Sequence, residues 1–118
     1  MTRQPYAHEA VVLMDDDQDI RAVGGAVTVA LCGHWEHEPP CPLAAHHTRA
    51  GRVGDEVRVR ILFATESDRE ADVRQRIDAA LRAGRLDGPD GTTSWRYARG
   101  APAEIAPDEV DHAERLCR

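Results

Sequence analysis

Apolar and polar positions alternate most cleanly between residues 56 and 64. Val57, Val59, Ile61 and Phe63 take every second place, with Arg58 and Arg60 between them, which predicts a half-buried strand. Residues 46–53 precede it across Gly54-Asp55, and the two segments predict a hairpin. Upstream, residues 9–14 form a short apolar run closed by Asp15, Asp16 and Asp17. That run predicts a buried strand, with residues 1–8 as a loose lead-in.

Helical spacing appears twice in the interior. Ile20, Val23, Val27 and Leu31 recur at intervals of three to four, with Asp17 or Asp19 placed to cap. Gly24-Gly25 and the β-branched Val27-Thr28-Val29 pull toward a strand over 26–31. A helix ending near Gly33 is favoured. Ser67-Asp68-Arg69-Glu70 reads as a capping box, followed by one apolar face of Val73, Ile77, Ala80 and Leu81 and a stop at Gly84. Residues 92–99 predict another strand with Trp95 and Tyr97 on one face. Pro107 opens a last helix carrying Val110, Ala113 and Cys117 on one side.

The resulting order, β-α-β-β-α-β plus a C-terminal helix, predicts an α+β fold of the ferredoxin-like split βαβ type. Two helices would cover one face of an antiparallel sheet. The last helix or a second copy of the chain would cover the other, so a homodimer through the open sheet face is expected. The 118 residues are read as one α+β domain, long enough to bury a core without disulfides or a metal. This architecture carries no function by itself.

The chemically distinctive stretch is Cys32-Gly33-His34-Trp35-Glu36-His37-Glu38-Pro39-Pro40-Cys41, followed after four residues by His46-His47. Two of the three cysteines and four of the six histidines fall here. Thiolate sulfur and neutral imidazole are the preferred ligands of zinc. The candidate metal ligands are therefore Cys32, His34, His37, Cys41, His46 and His47, with zinc favoured over copper because two thiolates are few for Cu(I). On a strand, His46 and His47 point to opposite faces, so one binds while the other packs or faces water. Glu36 and Glu38 could orient the imidazoles. The spacing matches no standard zinc motif. The competing readings are a buried Cys32 with a solvated loop, a Cys32–Cys41 disulfide, and a thiolate–imidazole nucleophile pair.

All 15 cationic residues are arginine. Without lysine the chain has no P-loop and no Schiff-base chemistry. A net charge of −6 argues against nucleic acid and anionic membranes as partners. The first residues lack a signal-peptide pattern, and the longest uncharged run, 22–34, is too short to span a bilayer. A cytoplasmic protein with reduced thiols is expected. His8 and His112 are read as isolated and exposed. Trp95, Arg96, Tyr97 and Arg99 could stack bases but are read as core or interface. Three functions compete: a small metal-binding protein, a metal-free dimeric module for a ligand or partner, and, less favoured, a Cys/His or zinc-dependent enzyme.

Overall fold

A computed structural model describes residues 3–32, 44–88 and 91–117. The chain is α+β. A four-stranded antiparallel sheet has the order β2-β3-β1-β6, formed by β1 (Arg3–Leu13), β2 (Ala45–Val53), β3 (Glu56–Glu66) and β6 (Arg96–Ala103). Three α-helices occur among the described residues: α1 (Arg21–Cys32), α2 (Glu70–Ala83) and α3 (Val110–Leu116). A separate two-stranded hairpin pairs β4 (Arg85–Gly88) with β5 (Gly91–Ser94). No helix among the described residues is long and apolar enough to cross a membrane.

Residue parity divides the sheet. Ala10 and Val12 of β1, with Val57, Val59, Ile61 and Phe63 of β3, pack against Val23, Val27 and Leu31 of α1 and Val73, Ile77 and Leu81 of α2. This is the main core. Gly24 lets α1 approach β2 closely, since a Cβ there would already touch Thr48 at 3.4 Å. The helix wins over a strand at 26–31 because this face of the sheet needs cover along its length. Asp19 caps α1, its Oδ1 accepting from the Arg21 amide at 2.9 Å. On the opposite face α3 lies over β3 and β1, and Ala113 is buried there with Ala7, Leu62 and Ala64.

Several expectations are corrected. The lead-in expected over residues 1–8 is strand from Arg3 onward, with Pro5 opposite Ala64. Pro5 is tolerated because β6 joins β1 only from Ala7, so β1 has one neighbour at that point. The capping box at Ser67 does not form. The chain enters α2 through a 3₁₀ turn, Ser67–Arg69, without a side-chain cap. Glu70 instead holds Arg74 at 2.8 Å, and Arg74 donates to the Ala7 carbonyl. The strand expected at 92–99 is split at Trp95. There the backbone turns, the Trp95 amide donates to the Gly84 carbonyl at 2.9 Å, and the indole Nε1 donates to the Leu81 carbonyl. Val110 is 42% exposed, whereas its expected partner Ala113 is buried.

A β-bulge separates the two halves of β6. Val12 pairs with Tyr97 but Val11 pairs with Arg99, leaving Ala98 as an extra residue. Tyr97 therefore faces α2, its hydroxyl donating to Asp78 at 2.8 Å. Arg99, two residues on, faces the other side of the sheet with Val11.

Candidate functional site

The Cys/His segment is described only at its ends. Cys32 closes α1, whereas His34, His37 and Cys41, with Glu36 and Glu38, lie outside the described residues. His46 and His47 begin β2 and point to opposite faces, as a strand requires. His46 is on the helix side, with Nε2 3.0 Å from the Thr28 hydroxyl and Nδ1 3.1 Å from the Ala44 carbonyl. Thr28 stands one helical turn before Cys32, so both ends of the segment depart from one corner of the fold. His47 is on the far face, against the ring of His112 of α3. Among the described residues no three His, Cys, Asp or Glu side chains gather as a metal set.

A different site lies on the far face, beside α3. A trough of about 650 Å³ crosses the sheet, with Val11, Gly51 and Ala101 on its floor. Arg49 from β2, Arg58 and Arg60 from β3 and Arg99 from β6 surround it; among the described lining residues Glu9 is the one carboxylate, with Glu109 and Glu56 reaching the arginines from outside the lining. Strand parity places Arg49, Arg58 and Arg60 on one face. The Ala98 bulge adds Arg99 to them. Gly51 leaves the floor open, since a Cβ there would meet nothing within 4 Å.

The arginines differ in their engagements. Arg60 is the inner one, with a side chain only 17% exposed. Its Nε donates to Glu109 Oε2 at 2.7 Å and its Nη2 to Glu109 Oε1 at 2.6 Å; further bonds reach Glu9 and the Glu104 carbonyl. Glu109 opens α3 and is itself buried. These bonds from Arg60 outweigh the effect of burial and hold the Glu109 carboxyl at about 2. Arg60 is thus the clasp that fixes α3 to the sheet. Arg49 and Arg99 are exposed and reach Glu109 and Glu56 only at 3.9 Å. Arg58 is exposed and makes no ion pair or hydrogen bond with the described residues. Three guanidinium groups on three strands are therefore available around the trough. A guanidinium presents a planar fork of donors that fits carboxylate or phosphate oxygens.

The alternation of Arg58 and Arg60 with apolar residues predicts a half-buried strand but marks no site. The signal for Arg49 and Arg58 was present, since both alternate with apolar positions across a hairpin. Arg99 carried none, because an unbroken strand would put it on the face of Tyr97. His8 and His112 are also corrected. His8 is 4% exposed, with Nδ1 3.1 Å from Arg74 and Nε2 unpartnered. His112 is partly buried against His47.

No protein-family model, curated protein or solved structure matches the chain significantly.

Proposed function

We propose that the protein is a binding module that takes a small, multiply charged anion in the arginine trough of its sheet. The observation that carries this is the convergence of Arg49, Arg58 and Arg99, all weakly engaged, in a chain whose net charge is −6. An acidic protein gains nothing from like charges gathered in a concavity unless something neutralises them. The volume lies in the range of small-molecule pockets. Among the described residues, its lining offers no thiol, hydroxyl or imidazole, which favours binding over catalysis. No aromatic side chain among the described residues lines it either, which favours a compact anion over stacked bases.

The trough also bears on the homodimer expected through this face. A two-fold contact would set the arginines of one copy against those of the other, while α3 already covers the apolar half. A bound anion removes that conflict more simply than a second copy. We read the sheet itself as a split βαβ arrangement of ferredoxin-like type, elaborated by the β4–β5 hairpin and by α3, in a cytoplasmic protein.

The test is calorimetric titration at low ionic strength with inorganic phosphate, pyrophosphate and citrate. Saturable binding of at least one is expected, weakened about tenfold or more by Arg58→Gln or Arg99→Gln, as suits the loss of a charge-assisted contact. Failure of all three beyond a chloride control, or full binding by the double variant, would remove the proposal.

The metal reading is retained as a second one because Cys32 closes α1 one helical turn after Thr28, whose hydroxyl lies 3.0 Å from His46 Nε2. Cys32, His34, His37, Cys41 and His46 would supply the ligands for zinc, and His47 leaves the set. Elemental mass spectrometry beside thiol titration tests it. About one zinc per chain, released together with reactive thiols, supports it; metal-free protein that takes up no added zinc opposes it.

A further inference from the structure

His47 and His112 form a pair that neither reading of the molecule uses. Their ring centroids are 4.5 Å apart and their planes are inclined by 50°. The inclination is too large for a parallel stack. Neither ring is hydrogen-bonded to another described residue. Arg49 lies two residues along β2 on the same face as His47. An imidazole with no hydrogen-bond partner can turn the lone pair of a ring nitrogen toward a metal ion.

The spacing also fits. A metal about 2.0–2.1 Å from an imidazole nitrogen stands ~3.2 Å from the ring centroid. Two rings bound at a right angle then have centroids ~4.5 Å apart, and two at the tetrahedral angle ~5.2 Å apart. Both separations are within a small side-chain rotation of the observed 4.5 Å. Two imidazoles suffice for Cu²⁺ or Ni²⁺, which complete a tetragonal or octahedral sphere with water, whereas structural zinc closes its tetrahedron with four protein ligands.

We infer that His47 and His112 form a two-imidazole site for a tetragonal or octahedral divalent cation, Ni²⁺ or Cu²⁺, bridging β2 and α3. Water fills the remaining positions. Arg49 is the one cationic neighbour named above, and its side chain is 67% exposed and can swing away. Glu109 is withheld from the metal by Arg60. The bound ion ties the seven-residue α3 to the sheet, so it stabilises the folded chain in proportion to its occupancy.

The experiment uses the full chain with Cys32→Ser and Cys41→Ser, so that the Cys/His segment cannot contribute thiolates. Nickel chloride is titrated by calorimetry, and the melting temperature is followed in parallel. One Ni²⁺ per chain and a rise in Tm are expected. His47→Gln and His112→Gln should each weaken binding tenfold or more and abolish the rise, with the metal-free Tm little changed. The Cu²⁺ complex should show two nitrogen ligands in its electron paramagnetic resonance spectrum, and one in either variant. Binding that persists unchanged in both single variants, or no nickel-dependent rise in Tm, would overturn the inference.

Discussion

Glu109 grips Arg60 with both carboxylate oxygens, and in doing so joins the start of α3, which it caps, to the middle of β3. The same Glu109 carboxylate accepts from the Ala106 amide at 2.9 Å, which closes the turn leading into the helix. One side chain therefore serves both as the local stop for the chain and as the anchor of the helix.

Glu109→Gln should destabilise the fold by about 3 kcal/mol at neutral pH, because Arg60 would remain buried without its counter-charge. The pH dependence has a definite sign. The folded value of about 2 lies below the ordinary 4.5, so the stabilisation is complete above about 4.5 and is lost as pH falls toward 2. Urea unfolding at pH 5 and pH 3 checks this. The wild type should lose more stability between the two than Glu109→Gln does.

Gly51→Phe should close the trough without unfolding the protein. The floor has room for the added side chain, and a glycine inside a strand is itself a weak point, so stability should change by no more than about 1 kcal/mol. Anion binding measured by calorimetry should disappear. Retained binding with an unchanged enthalpy would place the anion elsewhere.

His8→Leu should gain stability on the acid side. Arg74 donates to Nδ1, so the imidazole proton sits on Nε2, which is buried without an acceptor. Burial, then the Arg74 charge, lowers the folded value below 6.5. The unfolded chain thus takes up a proton that the folded chain refuses, and stability falls as pH drops below about 6.5. Chemical denaturation at pH 7 and pH 5 should show a smaller loss in the variant, and an advantage over the wild type of about 1 kcal/mol at pH 5.

Gly84 and Gly54 separate two costs of a missing side chain. Both have positive φ, 73° and 65°, so alanine costs about 1 kcal/mol at either position from backbone conformation alone. At Gly84 the new Cβ would also stand 2.7 Å from the Trp95 carbonyl oxygen, whereas at Gly54 it would meet nothing. Gly84→Ala should therefore lower the melting temperature more than Gly54→Ala. Equal effects would show that the Gly84–Trp95 approach is soft.

Much of the fold was legible because its elements carry strong local periodicity. The β2–β3 hairpin and α2 with its stop at Gly84 follow from spacing. What escaped depends on neighbours rather than on spacing. Residues 1–8 read as a loose lead-in, yet β1 starts at Arg3 and tolerates Pro5 where β6 has ended. Ser67 and Glu70 suggested a capping box, yet the glutamate is claimed by Arg74, which comes from the next helical turn and reaches across to β1. Ala98 gives no sign of a bulge, yet that one residue moves Arg99 to the other side of the sheet and into the trough. Of the six residues expected to bind metal, His46 and His47 were correctly assigned to opposite faces. The partner of His47 could not be foreseen, because His112 lies 65 positions away in the chain.

The outer strands of the sheet, β2 and β6, bear on the chain's fate at high concentration. An open strand edge recruits further strands and so seeds fibrils, unless charge or proline interrupts it. On β6, Arg96, Arg99 and Pro102 interrupt it, the proline leaving a gap in the row of amide donors. On β2, Arg49 and Arg52 do so by charge. The arginines that shape the anion trough from the two outer strands thus also act as gatekeepers. A variant stripped of them to abolish binding would be expected to grow thioflavin-positive aggregates on storage at concentrations where the parent stays clear.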